Sequence, residues 1–444
     1  MGVITDIVSR DFPEQTIDWL NTKDYYASYC NITYPLNSES DTISTINPFK
    51  ADHMSSASTP IRVHRSPDMI YNQTDGTIEA TKAGNYLVVY NVNINVASGT
   101  DAGTGIQKIN KVSTSGIVST QMTSAGVTAD DQRDPQQCII HTVVALTAGE
   151  KITVTTTTGG SGPIELVNGT SVLIQRLTGH FATVRYTADS DTITSESNVS
   201  VFDQTPDLGG TITSNASGMT YSTSNGRLTP SSERMFVNLQ SYILFSTTGD
   251  FSDARHRSTL NGSVSLPGDG GNGYMEEVKV GVSDADDPFC STNNIMKAIP
   301  SSLGTQPQFK IASDVPDYKF MQGTCTTAYD ISNNGALPST YFNLILDDGT
   351  SSNPGFDNLN PWDDDNYSTF VTKDPNDDTN KAVGSTIGGN KGITYTPSTG
   401  LFTVDEAGDY VIISNIVAKD VTSEGSTFHL ILKMEPDIGG FGTI

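Results

Sequence analysis

The chain has 444 residues, with 25 basic and 50 acidic side chains and a formal net charge of −25 at pH 7. A surface of that charge repels phosphate backbones and anionic lipid, so we expect neither nucleic acid nor a membrane as a partner. The length allows roughly two to four domains. The 40 glycines and 20 prolines, with many Thr, Ser, Asn and Asp residues, favour an all-β, loop-rich chain.

The N-terminal segment, 1–57, matches no other part of the chain. Its polar, extended character predicts an N-terminal arm that docks onto other proteins of an assembly. The alternative is a strand and loop that fold onto the domain that follows.

From residue 58 onward one motif occurs three times without gaps. An aromatic residue enters a turn, a glycine leaves it, an apolar residue follows, and a second aromatic begins a strand. The copies are Tyr71, Gly76, Ile78, Tyr86; then, 150 residues later, Tyr221, Gly226, Leu228, Phe236; then, 324 residues after the first, Tyr395, Gly400, Phe402, Tyr410. Self-similarity at fixed spacing predicts one folding unit used repeatedly.

The turn and the strand of the motif have distinct signatures. Asp75 before Gly76, and Asn225 before Gly226, predict hairpin turns in which the glycine needs a positive φ. The run that begins at Tyr86 continues to Val96, and its last part alternates apolar residues with asparagines. This alternation predicts a strand with one buried face.

Three tandem domains follow from the repeat: 58–178, 179–337 and 338–444. The first carries signals for about eight to ten strands, which is typical of a sandwich or jelly roll. In the second, Tyr329 and Ile331 are matched to Val172 and Ile174, 157 residues earlier. The third has only 34 residues after Tyr410 and is expected to be incomplete, either because the sequence is cut short or because another chain supplies strands.

Three segments in order resemble the C1q/TNF-like jelly-roll heads: Gly84 to Val88, Leu146 to Val154, and Thr170 to Ile174. The resemblance implies an all-β, antiparallel ten-strand sandwich that associates as a tight trimer and binds rather than catalyses. The chain has no collagen-like stalk and no disulfide pattern, which counts against a hormone or complement role. Its acidic, Thr/Asn/Asp-rich composition is similar to such heads on phage and viral virion proteins.

No residues with catalytic, cofactor-binding or metal-binding spacing emerge. The four cysteines lack C-x-x-C spacing and are predicted to be buried free thiols, although Cys290 and Cys325 could meet. His141 lies in an apolar strand and is predicted to face solvent or to be a satisfied core histidine. Acidic clusters at 284–287, 363–365 and 374–378 are predicted to be solvated loops, with glycoside hydrolysis or calcium binding as alternatives. Trp362 is the candidate carbohydrate contact; the simpler interpretation is a loop tryptophan packed on its own domain.

These observations together predict a non-enzymatic virion structural protein: a capsid appendage, fibre or decoration that assembles as a homotrimer of jelly-roll domains. It would be assembled in the host cytoplasm and lie on the outer surface of the virion. Other virion proteins would bind through the N-terminal arm or the third domain. The alternatives are a phage tail protein that binds or cleaves a host-surface glycan, and a bacterial surface adhesin.

Overall fold

The protein is built from antiparallel strands. A computed structural model describes residues 28–33, 39–40, 45–50, 62–96, 103–116, 118–124, 128–129, 136–158, 164–166, 169–177, 179–193, 199–202, 209–230, 234–247, 254–260, 274–280, 289–300, 307–313, 318–330, 341–342, 344–346, 370–372, 390–396, 401–405, 412, 433–434 and 442–443. These residues form strands and turns and contain no helix. The prediction of an all-β, antiparallel jelly-roll fold is confirmed.

Within the described residues the first sandwich has fourteen strands. They are β1 (Tyr29–Thr33), β2 (Glu39–Ser40), β3 (Thr45–Ile46), β4 (Arg62–Arg65), β5 (Met69–Asn72), β6 (Thr77–Ala80), β7 (Gly84–Val96), β8 (Gly103–Val112), β9 (Val118–Ser124), β10 (Thr128–Ala129), β11 (Gln136–Leu146), β12 (Lys151–Thr158), β13 (Ile164–Leu166) and β14 (Ser171–Leu177).

Two sheets make up this sandwich, and each has five principal strands. The first sheet runs β4-β1-β14-β7-β11, with β13 pairing the far end of β7 and β2 pairing β13. The second runs β5-β6-β12-β8-β9, with β3 beside β12 and β10 beside β8. Neighbours in space are often distant in sequence, which is the arrangement of a jelly roll.

Alternating side chains of the two sheets form the core between them. Tyr86, Val88, Tyr90 and Val92 point inward from β7 and pack in one buried cluster with residues of the second sheet such as Ile152. The alternation predicted for this strand therefore places its even-numbered residues inside.

Part of the segment 1–57 belongs to the first sandwich. β1 pairs with β14 on one side and with β4 on the other, and Ser28 donates a hydrogen bond to Asp68 at the start of the first hairpin. The Tyr71 hydroxyl donates to the carbonyl of Phe49 at 2.5 Å. The sandwich thus begins before residue 58, as in the alternative of a strand and loop folded onto it; residues 1–27 lie outside the described part.

The second sandwich repeats this plan. Its described strands are β15 (Phe181–Ala188), β16 (Val199–Ser200), β17 (Thr211–Ser217), β18 (Met219–Ser222), β19 (Arg227–Pro230), β20 (Arg234–Thr247), β21 (Ala254–Leu260), β22 (Tyr274–Val280), β23 (Phe289–Pro300), β24 (Pro307–Ser313), β25 (Tyr318–Phe320) and β26 (Cys325–Asp330). The first sheet runs β17-β15-β26-β20-β23, strand for strand the order of the first sandwich. The second runs β16-β24-β21-β22, and β18 and β19 form the hairpin.

The third repeat is described only in pieces. Its strands are β27 (Tyr341–Phe342), β28 (Leu344–Leu346), β29 (Phe370–Thr372), β30 (Asn390–Lys391), β31 (Ile393–Thr396), β32 (Leu401–Val404), β33 (Lys433–Met434) and β34 (Gly442–Thr443). β27 pairs β30, β28 pairs β29, β31 pairs β32, and β33 pairs β34. Gly400 and Tyr410 lie outside the described residues.

The three copies of the motif form hairpins of one register. Tyr71 is opposite Ile78 in β5–β6, and Tyr221 is opposite Leu228 in β18–β19. In the third copy the motif tyrosine is likewise opposite the motif phenylalanine. Burial differs, however: Phe402 is 43% exposed, whereas Ile78 and Leu228 are 2% and 3% exposed.

Two residue matches made from the sequence need correction. In β20, Ser241 is opposite Thr326, on the sheet side that carries the core residue Ala328, so the odd-numbered positions are interior. In β7 the interior positions are even-numbered, so the match of Phe236 to Tyr86 is out of phase with the described part of β20.

The match in the last strand is also shifted. Val172 lies in the core of the first sandwich, whereas Tyr329 packs on the outward side of the second sandwich with Phe181. Tyr329 is therefore not the structural counterpart of Val172, and Ile331 lies outside the described residues.

The three cysteines whose side chains the structure describes form no disulfide bond. Cys30, Cys138 and Cys325 are buried free thiols, as predicted. Cys290 cannot meet Cys325, because β23 and β26 flank β20 on opposite sides. Two strand spacings separate their backbones by about 10 Å, which exceeds the reach of a disulfide.

Gly76 offers a test of the hairpin. It has φ +67°, and a Cβ there would lie 2.6 Å from Asn47 Cγ. The Asn47 amide is held by the Gly76 carbonyl at 3.2 Å and by Thr153 Oγ1 at 2.9 Å. Gly76→Ala should therefore cost more stability than the about 1–2 kcal/mol of a left-handed alanine alone, by roughly one lost hydrogen bond, about 1 kcal/mol.

Gly116→Ala is the matched control. Gly116 has φ +84°, and nothing lies within 4 Å of a Cβ placed there. Urea unfolding of both variants measures the difference. Equal losses of unfolding free energy would contradict the role given to Asn47.

Candidate assembly interface

The most extensive candidate site is the contact between the first two sandwiches. Strand β11 is the edge of the first sheet of the first sandwich, and it lies across β26 and β15 of the second. The side of β15 and β26 that it covers is the outward one. On the other side, Tyr186 stacks on Phe202 and Phe320 at ring distances of 6.1 and 5.9 Å inside the second sandwich.

An apolar cluster holds the two sandwiches together. Leu87, Val143 and Leu177 project from the outward face of the first sandwich and pack with Phe181 and Tyr329 of the second. All five are less than 9% exposed. Because only three residues separate the end of β14 from the start of β15, the chain itself brings Leu177 and Phe181 together.

Polar groups within the contact are paired across it. His141 Nδ1 lies 2.8 Å from Thr327 Oγ1, which in turn lies 3.0 Å from Thr183 Oγ1. The Tyr242 hydroxyl donates to Cys138 Sγ at 3.2 Å and belongs to the same buried cluster as the first core. Such pairs fix the register of two apolar surfaces that would otherwise slide.

Burial sets the protonation states at this contact. Loss of hydration lowers the pKa of His141 to about 3, so the imidazole is neutral at pH 7. Loss of hydration likewise raises the pKa of Cys325 to about 12, so its thiol stays protonated. Neither group has the ionisation that a nucleophile or a general acid near neutral pH requires.

The contact joins different surfaces of two similar domains. The first sandwich contributes its edge strand β11 together with Leu87 of β7 and Leu177 of β14, and the second contributes the face formed by β15, β26 and β20. Each sandwich thus uses a different set of strands, as the partners in a heterologous contact between subunits do.

Sequence reasoning placed His141 on a solvent face or in a satisfied core, but not at a contact between domains. The available signal was the run Tyr86 to Val89, which is apolar without alternation. Such a run indicates a strand covered on both faces. His141 is 2% exposed and is covered by the second sandwich.

The other candidate residues are not brought to this contact. Trp362 and the three acidic clusters lie outside the described residues. Within the described part, no group of three His, Cys, Asp or Glu side chains could hold a metal ion. Searched over the same residues, the fold has no helix of sufficient length and apolarity to span a bilayer.

Comparison with known proteins gives similarity of fold only. No protein-family model matches the chain, and no curated protein matches it. The solved structure of Eiger TNF from S. frugiperda is similar, with a TM-score of 0.25 and 14% identity over 34% of this chain and 94% of that one. Murine APRIL at pH 8.5 is similar with a TM-score of 0.23 and 16% identity over 34% of this chain and 98% of that one.

A double-mutant cycle tests the apolar contact. Val143→Ala and Tyr329→Ala should each destabilise the protein, by about 2 and 3 kcal/mol, through lost burial. Because both side chains belong to one cluster, the double variant should lose about 0.5–3 kcal/mol less than the sum of the two. Denaturant unfolding provides the three free energies.

Leu228→Ala, combined with Val143→Ala, is the control pair. Leu228 is buried in the second hairpin and belongs to neither cluster shared by the sandwiches, so these two losses should add. If the losses of unfolding free energy from Val143→Ala and Tyr329→Ala were also additive, the contact between these two side chains would be contradicted.

Proposed function

We propose that this chain is a non-enzymatic structural protein of a virion, a capsid appendage, fibre or decoration on the outer surface, that works by self-association of its jelly-roll domains. The observation that carries the proposal is the edge-on-face contact between the first two sandwiches. It is a buried, apolar, heterologous contact between copies of one fold, which is the kind of surface from which assemblies are built.

A homotrimer, as predicted from the sequence, would have to use surfaces that this contact leaves available. The outward face of the second sandwich is covered within the chain. On the first sandwich, Leu87 and Leu177 of the outward face are covered as well, whereas Asn31, Leu173 and Gln175 of the same face are half-buried. Three chains would then meet at this remaining part of the face.

The charge of the chain supports an exterior position. A net charge of −25 keeps neighbouring particles apart and disfavours contact with packaged nucleic acid. The chain would assemble in the host cytoplasm. It would dock to other virion proteins through the N-terminal segment or the third domain.

Mass spectrometry of purified virions tests the location. Peptides from this chain should co-purify with particles through a density gradient, in amounts comparable to those of other structural proteins. A non-structural protein encoded by the same virus is the control and should be depleted. Absence of the chain from the particles, or clearing of host polysaccharide by the purified protein, would overturn the proposal.

Light scattering at pH 7.5 tests the self-association. A homotrimer has three times the 47.4 kDa mass of one chain. Leu173→Arg, which puts a charge on the available face, should shift the mass toward that of one chain, because a buried unpaired charge is costly. Val118→Arg, at a position 58% exposed on β9, should leave it unchanged. A mass near 47.4 kDa for the unaltered protein would contradict the homotrimer.

A further inference from the structure

We propose that His141 makes the contact between the first two sandwiches acid-sensitive, so that its protonation opens the contact while each sandwich stays folded. The proposal stands on the position of the imidazole between the domains, and it does not depend on the virion function. The contact stays closed at neutral pH and opens reversibly in acid.

Among the described residues, the closed contact offers the imidazole ring of His141 one hydrogen-bond partner. A protonated imidazole carries two N–H donors and needs two acceptors. In the described part of the chain only Nδ1 has a partner, the Thr327 hydroxyl at 2.8 Å, and the buried Nε2 has none. The closed contact therefore accommodates the neutral ring and leaves a charged donor unpaired if the ring takes a proton.

Other ionisable side chains lie around the ring of His141. The thiol of Cys138 lies on the same strand, the thiol of Cys325 on β26, the hydroxyl of Tyr242 on β20 and the guanidinium of Arg185 on β15, directly opposite Cys325. No carboxylate occupies the described positions on these faces. Nothing there compensates an added positive charge, and Arg185 opposes it.

The contact weakens as the pH falls. Burial lowers the pKa of His141 from its ordinary value of 6.5 to about 3. A group that is neutral when the contact is closed and takes a proton when it opens favours the closed state above pH 6.5 and weakens it as the pH falls below that value. Each pH unit below 6.5 then raises the opening constant about tenfold, or about a hundredfold between pH 7.5 and pH 4.5.

The accessibility of two thiols of the chain reports whether the contact is open and whether the first sandwich is folded. Cys325 lies on the covered face of the second sandwich and becomes accessible when the contact opens, whereas Cys30 lies in the core of the first sandwich and stays protected. Labelling of the full chain with 4,4′-dithiodipyridine from pH 7.5 to pH 4.5, located by peptide mass spectrometry, follows both. Rates are normalised to those of the urea-unfolded chain at each pH.

The normalised labelling rate of Cys325 should rise about a hundredfold over this range, with Cys30 protected throughout. His141→Asn should abolish the rise, because an amide does not titrate, and His141→Gln is the second variant if the first is poorly folded at pH 7.5. His64→Asn, at an exposed histidine on β4, should behave as the unaltered protein. The same rise in the His141 variants, or labelling of Cys30 together with Cys325, would overturn the proposal.

Discussion

The first sheet of the first sandwich must be covered on both of its faces, and the rest of the arrangement depends on that requirement. β7 sends Tyr86, Val88 and Tyr90 into its own core and Leu87 outward, where Val89 packs beside it. Apolar side chains on two sides of one strand need two apolar partners. The second sheet supplies one partner, and the outward face of the next sandwich in the chain supplies the other.

The two sandwiches have the same fold but contribute different residues to this contact. On its outward face the first sandwich pairs Asn31 with Leu173, whereas the second pairs Thr183 with Thr327. Thr327 and Thr183 bond to each other, and Thr327 also bonds to His141 of the neighbour. The order of the two domains is therefore specified by side chains, although the strands are arranged alike. In a tandem repeat of this kind, two domains of one chain form a contact that separate subunits would otherwise have to form. The short link between β14 and β15 sets the effective concentration of one domain at the other.

Local features were the most predictable from the sequence. The first two hairpins were predictable because Gly76 and Gly226, both at positive φ, and their flanking apolar residues act within ten residues of each other. Phe236 follows Tyr86 at the same spacing of 150 residues as the rest of the motif, but the described part of β20 has its interior residues at odd-numbered positions. The sequence of β26, CTTAYD, does not alternate, so it does not show which side of the strand faces the core. The pairing of β1 with β14 joins residues far apart in sequence, and no local pattern encodes it.

The position of His141 could not be predicted for a related reason. The run Tyr86 to Val89 on the neighbouring strand β7 indicates that both faces of the sheet are covered, but not which domain covers them. The most direct measurement of the edge-on-face contact is a nuclear Overhauser experiment on the methyl-labelled full chain at pH 7.5. The account predicts cross-peaks between the methyl groups of Val143 and the aromatic rings of Phe181 or Tyr329. Cross-peaks from Val143 to residues of the first sandwich alone would contradict it.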